Sequence, residues 1–571
     1  MADPGARRKP VSDGGRGASD PAGAPADDAG AVRRRSGVAA LRRYGQPVVS
    51  VLPWGRRRAP AVRGPSRSWL VPAAVAVVAF VVLVAHNSWL LTEPVHADAD
   101  YAANEILIDD AKELSLLVGH YSRLGFNHPG PAYLYLQAAG EVLLFDVVEL
   151  VPARYNAQLL TVLALNAAVL GAAAWLLLVG ARNVTGALTV VALAAFVLVC
   201  ETGGVGQPDR LLVSSWMPAV LAPTFLLFMV SGASLLAGRF RGCWLFALSG
   251  GLLLHGHVSM LGVAGPVVLV VVAWCVVRHR RGAHQAGRRD LVAAGLIAGL
   301  LALPLAIQLL LHWPGEWDDY WRASRENAPR IGARDALAYV GSWWAPRGTL
   351  PPLLTIVVLV LAAVTGTVTR PPGTVRRTAA GLLAMAALVT PLFTYYAIDG
   401  IDDVGARYLG YFYLAVPITV VAVVVLTGSD ALQRCESRLL RTVPVLACTV
   451  ALTFAATTPR LGNGYRGEGG VPAAVLDLRQ DARRDGRPVA VLIDVRSWGP
   501  AIGVLSHAVN NGLPMCIEDP SWRFAVTDEE ICATRPAQGH WRIRATYIEE
   551  GAEPPDGTLT RSDHLALIEE P

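Results

Sequence analysis

Eleven separate apolar stretches run through this chain of 571 residues, and they constrain its fold more than any other feature. A helix needs about 20 mostly apolar residues to cross the hydrocarbon of a bilayer, so each stretch is a candidate membrane span. With 53% hydrophobic and 17% charged residues, the chain does not fit a water-soluble protein or a disulfide-dense secreted scaffold. We therefore predict an α-helical polytopic membrane protein with spans at about 69–91, 156–179, 184–201, 212–236, 242–257, 258–277, 291–311, 352–369, 378–397, 408–427 and 440–457.

Arginine is distributed unevenly between the two sides of these spans, and this predicts an orientation. Residues 1–68 hold thirteen arginines and Lys9, and five short loops on the same side of the spans hold fourteen more arginines. Because cytoplasmic loops carry an excess of basic residues, we expect a multi-pass plasma-membrane protein with a cytoplasmic N-terminus and an extracytoplasmic C-terminus. Residues 1–68 lack a periodic apolar face and predict a disordered, Arg-rich cytoplasmic tail. Basic residues before a first span are ordinary topology determinants, so we expect no nucleic-acid partner.

Three parts of the chain are predicted to lie outside the membrane, beyond or between the spans of a transmembrane domain, residues 69–457. A first outer loop, 92–155, ends in an amphipathic stretch, 131–151, that predicts a helix in the membrane interface. A second outer loop, 312–351, holds tryptophans that are typical of an aromatic belt: Trp313, Trp317, Trp321, Trp343 and Trp344. Residues 458–571 predict a small extracytoplasmic α/β domain, with strands at about 489–494, 514–518 and 541–548 and a helix at 501–510.

Two local features refine this organisation. His255-Gly256-His257 interrupts a long apolar run, and the basic loop 278–289 falls on the cytoplasmic side only if this interruption is a real turn between two spans. Cys516 and Cys532 share the predicted external domain, where a disulfide between them is expected because that compartment is oxidising.

The polar residues after the first predicted span are the best candidates for chemistry. Asp98 and Asp100 lie at i and i+2, just outside the membrane, where a polar site can face water above and lipid beside it. A carboxylate there could take a proton from a hydroxyl nucleophile. The pair could instead coordinate a divalent cation, and a solvated acidic loop is the third interpretation. The Asp-x-Asp pattern alone leaves all three open.

The wider pattern resembles the GT-C superfamily of integral membrane glycosyltransferases. The resemblance combines an Asp-x-Asp element after the first span, a long first outer loop, ten or more spans and a C-terminal external domain. Two runs carry it most specifically, Asp100-Tyr-Ala-Ala-Asn-Glu105 and Tyr121-Ser-Arg-Leu-Gly-Phe-Asn-His-Pro-Gly-Pro131, which are similar to those of large actinobacterial GT-C-like proteins. Trp216-Met-Pro218 and His257-Val258 add to it, and together they cover about residues 69–457.

This resemblance implies inverting transfer of a sugar from a polyprenyl-phosphate donor to an extracytoplasmic glycan or glycolipid acceptor. The leaving group of such a donor is a stable phosphate anion. The reaction therefore needs a base for the acceptor hydroxyl and hydrogen-bond donors or cations for the phosphate. Asp100 is the first candidate for the base because it begins the matching run, and Asp98 is the second. A clear second acidic motif is absent, so we expect no obligatory metal, while the acidic pair leaves a divalent cation open.

Four residues are candidates for binding the donor phosphate. Arg123 offers a guanidinium that matches phosphate oxygens, with a membrane-surface anchor as the alternative. His128 could donate to the phosphate, orient the base or cap the next helix. His257 could line the same cavity or simply occupy a turn. Arg407 follows a short acidic loop, where a surface ion pair is the alternative.

Glu105, Tyr121 and Asn127 lie within the same runs and are expected to support the site. Two other functions remain open from the sequence: a transporter or flippase for lipid-linked sugars, and a non-catalytic scaffold or sensor of the cell envelope. Transporters place polar residues near the bilayer midplane, whereas this chain concentrates its acids and histidines in one outer loop and at helix ends. A scaffold would leave Asp98 and Asp100 dispensable.

Overall fold

A computed structural model describes residues 69–122, 124–200, 210–282, 287–326, 331–345, 351–370, 373–401, 403–457, 470–532, 539–549, 552–561 and 564–570. The predicted tail, residues 1–68, lies outside these described residues, and so does Arg123. The predicted limit between the transmembrane and external domains adjoins residues 458–469, which also lie outside them, so the domain boundaries stay a prediction.

Eleven apolar helices in the described part of the chain coincide with the eleven predicted spans; helices and strands are labelled in chain order. Seven spans are long and apolar enough to cross a membrane, and they contain α4 (Arg154–Ala181), α6 (Met217–Leu236), α8 (Ser259–Arg280), α9 (Arg288–Leu311), α13 (Thr374–Asp399), α14 (Ala415–Gln433) and α15 (Arg438–Thr457). Four shorter apolar helices are α1 (Leu70–His86), α5 (Val184–Cys200), α7 (Cys243–Gly256) and α12 (Pro352–Val368). The predicted multi-span helical fold is confirmed, while the orientation stays a prediction.

The helix α6 lies at the centre of the bundle, between α4, α7, α13 and α14. Nearly all its side chains are buried, because its sequence is apolar on every face. In contrast, α9 packs against α7 but has no fully buried residue, as expected of a helix that faces lipid. The chain is extended at His257, between the end of α7 and the start of α8, which confirms the predicted turn at residues 255–257.

The first outer loop folds into α2 (Ala99–Lys112), a hairpin of β1 (Tyr121–Ser122) and β2 (Phe126–Asn127), and α3 (Ala132–Glu141). The helix α3 packs against α2, α4 and α7. A π-helical segment, Val142–Val147, follows it and exposes Leu143 and Val147. The stretch 131–151, predicted as one interface helix, is therefore a packed helix followed by a short exposed apolar segment.

A buried ionic cluster joins this loop to α4. Glu141, at the end of α3, is fully buried, and its Oε1 lies 2.6 Å from Lys112 Nζ and 3.7 Å from Arg154 Nε. Gln158 Nε2 donates to the other carboxylate oxygen at 3.0 Å. Asp109 completes the cluster through contacts with Lys112 and Arg154. A buried carboxylate needs such partners because leaving it unpaired would cost several kcal/mol, roughly 3–5.

The second outer loop contains α10 (Glu316–Glu326) and α11 (Ala333–Ser342). Trp313 and Trp321 are exposed, consistent with the predicted aromatic belt. The prediction was wrong for Trp343 and Trp344, which are 4% and 8% exposed. They follow α11 into the core, where the ring of Trp343 contacts Tyr411 and the indole of Trp344 donates to Tyr413 Oη at 3.4 Å.

The C-terminal domain is a mixed sheet with two helices. Its elements are α16 (Val471–Asp485), β3 (Val489–Ile493), α17 (Trp498–Asn510), β4 (Met515–Ile517), β5 (Trp541–Tyr547), β6 (Thr558–Arg561) and β7 (Leu565–Glu569), and the strand order is β4-β3-β5-β7-β6. The strand β3 is parallel to β4 and β5, and β7 is antiparallel to β5 and β6. The predicted α/β fold is confirmed, and the structure adds α16, β6 and β7.

A disulfide between Cys516 and Cys532 confirms the predicted pairing. It closes the segment that leads from β4 through a 3₁₀ turn, Pro520–Phe524, to an isolated bridge between Ile517 and Ile531. The bond therefore holds an irregular loop against the edge strand of the sheet.

Candidate active site

A cavity of about 750 Å³ lies where the first outer loop, the membrane helices and the C-terminal domain meet. The start of α2 and the β1–β2 hairpin form one side of it, and the ends of α6, α8 and α13 form another. The rest of the lining comes from α10, from the segment that follows α13, and from the C-terminal domain through Val495, Trp498, Trp522 and Phe524. The membrane helices and the C-terminal domain therefore both line this cavity.

Asp100 lies in this cavity, and other side chains fix the position of its carboxylate. The hydroxyl of Tyr121, on β1, donates to Asp100 Oδ1. The indole Nε1 of Trp216, which precedes α6, donates to Oδ2 at 2.7 Å. A carboxylate oxygen has two lone pairs, so each can still accept a hydrogen bond from a hydroxyl in the cavity.

The structure separates Asp98 from Asp100. Asp98 is the N-cap residue of α2, and its backbone carbonyl accepts from the amides of Tyr101 and Ala102. Ala99, between the two acids, has a φ of 46°, a left-handed conformation that is unfavourable for a residue with a Cβ. Among the described residues Asp100 lines the cavity, whereas Asp98 lies against α17 near Gly503.

Three histidines line the same cavity as Asp100: His120, His128 and His257. The ring centroids of His128 and His257 are 4.2 Å apart. His128 Nδ1 accepts from the amide of Val258 at 3.5 Å, and His257 Nδ1 is 2.8 Å from Ser259 Oγ. The two predicted histidines therefore come together in the structure, at the turn between α7 and α8.

His120 is a candidate that the sequence analysis did not include among the site residues. It is 4% exposed, and neither of its ring nitrogens has a hydrogen-bond partner in the described part of the structure. Burial, followed by the nearby His257, lowers the pKa of His120 to about 3. Burial likewise lowers the pKa of His128 well below its ordinary value. Both rings are thus neutral near pH 7 and offer N–H groups rather than charge.

Neither of the two predicted phosphate-binding arginines is among the described residues that line the cavity. Arg123 lies outside the described residues, although Ser122 and Leu124 on either side of it line the cavity. The guanidinium of Arg407 lies over the ring of Trp343, 3.9 Å from its centroid, and donates to Ser342 Oγ. Arg407 is not among the described lining residues, and these include no lysine or arginine.

The supporting residues divide between the cavity and its surroundings. Tyr121 contacts Asp100, as described above. Asn127 connects the hairpin to α10: its backbone N–H donates to Glu316 Oε2 at 2.7 Å, and its backbone carbonyl accepts from Tyr320 Oη at 2.6 Å. Glu105 is buried in the interface between α2 and α17, where Ser506 Oγ donates to its Oε2 at 2.9 Å. Burial is the main reason that the pKa of Glu105 rises to about 7.

Among the described residues, one group of three side chains that could bind a metal lies close together: Cys516, Cys532 and His540. The two cysteines form the disulfide, so they are not the thiolates that a zinc site would use. The acids and histidines of the cavity do not form such a group in the described residues. This geometry does not test whether the protein needs a metal, so the absence of an obligatory metal stays a prediction.

Comparison with known proteins bears on the fold. No family model matches the chain, and no curated protein sequence matches it. Among solved structures, the crystal structure of ArnT from Cupriavidus metallidurans bound to undecaprenyl phosphate is similar, with a TM-score of 0.50 and 12% sequence identity. The similarity covers 88% of this chain and 98% of that one. The chain therefore has an ArnT-like fold.

Proposed function

We propose that this protein transfers a sugar, with inversion, from a polyprenyl-phosphate donor to an extracytoplasmic glycan or glycolipid acceptor. The proposal rests on the position of Asp100 in a cavity that is lined by membrane helices and by the C-terminal domain. The similar structure of ArnT bound to undecaprenyl phosphate supports a polyprenyl phosphate as the lipid.

Asp100 is proposed as the general base. Its carboxylate would accept the proton of an acceptor hydroxyl as that oxygen forms a bond to the anomeric carbon of the donor sugar. The bond between the anomeric carbon and the phosphate oxygen breaks on the opposite face, and the electron pair leaves with the phosphate. A single displacement of this kind inverts the anomeric centre, and because the leaving group is already an anion, it needs no strong acid.

Neutral N–H donors and one cation are proposed to stabilise the departing phosphate. His120, His128 and His257 lie together in the cavity wall and offer N–H groups. Arg123 is proposed as the cation, because its neighbours Ser122 and Leu124 both line the cavity. Donors fixed at the position where negative charge develops lower the barrier without reorganisation.

The donor lipid is proposed to enter from the membrane side. There the cavity is lined by Gly262 of α8, Leu392 and Tyr395 of α13, and Leu409 of the 3₁₀ turn Arg407–Leu414. These positions let a prenyl chain stay among apolar helices while its phosphate reaches the histidines. We propose that the reaction takes place on the extracytoplasmic side, as the arginine distribution predicts, and that it needs no obligatory metal.

The test uses the full chain, purified and reconstituted in liposomes with sugar-labelled polyprenyl phosphates. Wild-type protein should bind undecaprenyl phosphate, transfer label to an added glycan and keep this activity in EDTA. Asp100→Asn should lower the transfer rate about 10²–10⁴-fold while leaving undecaprenyl phosphate binding unchanged. Asp98→Asn is the matched control and should retain most of the activity. Transport of the intact donor across the liposome membrane, without transfer, would instead favour a flippase.

A further inference from the structure

The C-terminal domain presents three aromatic side chains to the cavity that holds Asp100: Trp498, Trp522 and Phe524. Trp498 begins α17, and the other two lie on the 3₁₀ turn Pro520–Phe524. The rings of Trp522 and Phe524 stack with their centroids 5.8 Å apart. Phe524 lies 5.9 Å from the ring of Tyr121, whose hydroxyl donates to Asp100. An aromatic row therefore leads from the C-terminal domain to the carboxylate.

Trp498, Trp522 and Phe524 form an aromatic wall of the cavity. Close packing holds this aromatic wall in place against the first outer loop. Gly499 and Gly503 let the backbone of α17 approach α2, since a Cβ on Gly503 would lie 3.0 Å from the carbonyl oxygen of Ala97. The hydrogen bond from Ser506 to Glu105 is buried within the same interface. The disulfide between Cys516 and Cys532 closes the loop that carries Trp522 and Phe524. The helix α17 and the 3₁₀ turn, which carry the aromatic wall, are therefore both held in place beside the cavity.

The chemistry of this wall differs from that of the rest of the cavity. The described residues that the C-terminal domain contributes to the lining are Val495 and the three aromatic residues, and none of them is charged. The histidines and acids of the cavity lie on the other elements. An aromatic surface without charge suits the C–H face of a neutral sugar ring better than a phosphate or a uronic acid.

We infer that Trp498, Trp522 and Phe524 form the binding site for a neutral sugar residue of the acceptor. This inference rests on the proposed function. The donor carries a long apolar chain and has to approach through the membrane helices. The acceptor is a water-exposed glycan or headgroup, so it meets the cavity from the C-terminal domain. Asp100 lines the cavity that both approaches reach, so the proposed base can take a proton from an acceptor bound there.

The experiment measures transfer to soluble methyl disaccharides of mannose, glucose and arabinofuranose, with a glucuronic acid analogue as the anionic comparison. In Trp498→Ala, KM for the best neutral acceptor should rise about tenfold, which corresponds to about 1.4 kcal/mol, the upper range for one aromatic contact. The kcat, the KM of the donor and the slow transfer of sugar to water should stay within about threefold of wild type. Trp498→Phe should fall between wild type and Trp498→Ala.

Tyr547→Ala is the matched control, because Tyr547 lies in the same domain, where its ring stacks on His564 and contacts Arg496. It should leave the acceptor KM unchanged. An acceptor KM that does not move in Trp498→Ala, or a rise in donor KM instead, would overturn the inference, as would equal use of the anionic analogue.

A binding measurement separates this inference from the proposed function. The same neutral disaccharides should alter the tryptophan fluorescence of the full-length protein, and Trp498→Phe should weaken that binding. Saturable binding without any sugar transfer would refute the proposed function and keep the saccharide site. Transfer that depends on Asp100, with disaccharide binding insensitive to Trp498, would refute the site and keep the function.

Discussion

The indole of Trp216 donates a hydrogen bond of 2.7 Å to Oδ2 of Asp100, and this bond joins the start of α6 to the first turn of α2. The hydroxyl of Tyr121 donates to Oδ1 of the same carboxylate. The carboxylate is thus oriented by donors from two other segments of the chain before any substrate binds. In the proposed transfer reaction, such orientation lets Asp100 accept the proton of the acceptor hydroxyl without the further entropic cost of ordering its side chain.

Replacing Trp216 tests whether this orientation matters. Trp216→Phe keeps an aromatic ring but removes the Nε1–H donor, so Asp100 would rotate more freely. We expect kcat to fall about 10–100-fold with little change in either KM, because the interaction positions the base rather than the substrates. Steady-state transfer of labelled sugar measures both parameters. Trp244→Phe, on α7 away from the cavity lining, is the control, and an unchanged kcat in Trp216→Phe would contradict the positioning role.

His120 provides a test of the proposed phosphate site. Its two buried ring nitrogens have no hydrogen-bond partner among the described residues, and such a group is costly unless a ligand satisfies it. His120→Leu should weaken binding of undecaprenyl phosphate about 10–100-fold, the range of a hydrogen bond to a charged group. His120→Gln retains a donor and should bind more tightly than His120→Leu. Isothermal titration in detergent measures both. Equal affinity of the two variants would show that His120 does not donate to the phosphate.

The sequence predicted the membrane architecture well because the length of an apolar stretch is a local property. The spans and the break at residues 255–257 could therefore be predicted from the sequence. The disulfide could be predicted as well, because the two cysteines lie in one predicted external domain. The helix α16 was missed although Val471, Ala474, Val475, Leu478 and Ala482 follow a helical period and are buried. Because charged residues fill much of the rest of this segment, its apolar positions were not recognised as a helix in the sequence.

The candidate site was only partly predictable, because it depends on which direction each side chain takes. Asp98 and Asp100 could not be separated from the sequence, since the left-handed turn at Ala99 that divides them has no sequence signal. Glu105 shares a run with Asp100 but faces α17, a contact across 401 positions. The aromatic residues of the C-terminal domain could not be assigned to the cavity for the same reason: only tertiary packing brings them to Asp100.

The single lysine of the described residues, Lys112, tests the buried ionic cluster. Lys112→Met would leave Glu141 fully buried with only the more distant Arg154 as a cation, so we expect the free energy of unfolding to fall by about 3–5 kcal/mol. Unfolding in a mixed-micelle denaturant titration measures this change. Arg434→Met removes an exposed partner of Asp430 and should have little effect. A loss of stability no larger than that of Arg434→Met would show that Lys112 is not needed to balance Glu141.

Removing the disulfide tests how the aromatic loop is held. In Cys516→Ser the loop that contains Trp522 and Phe524 is no longer closed, and the free energy of unfolding of the C-terminal domain should fall by about 3 kcal/mol. Limited proteolysis should then cut between residues 517 and 531, and wild-type protein should resist cleavage there. Cys435→Ser removes a free cysteine and serves as the control. Cleavage at the same rate in both variants would mean that packing alone holds the loop.

Glu105 makes the attachment of α17 to α2 dependent on pH. Its pKa is about 7 in the folded protein, raised from 4.5 first by burial, with Glu141 and Asp109 adding repulsion while Ser506 and Arg154 oppose the shift. The folded state therefore holds an extra proton between these values, and this contribution to stability is complete below about pH 4.5 and is lost as the pH rises through 7. The full change corresponds to roughly 3 kcal/mol.

We therefore expect Glu105 to make α17 open more easily at pH 8 than at pH 5, against the opposite contribution of His507 on α17, whose pKa burial lowers to about 4. Glu105→Gln keeps an acceptor for Ser506 without a titrating proton, so the Glu105 contribution is the difference between wild type and Glu105→Gln in hydrogen exchange of the amides of α17, corrected for the intrinsic exchange rate at each pH. Asp110, whose pKa is raised to about 6 mainly by burial and then by Glu530 and Glu529, titrates in an overlapping range. Asp110→Asn is therefore the second control. If the pH dependence of hydrogen exchange in α17 persists in Glu105→Gln but is lost in Asp110→Asn, the effect belongs to Asp110.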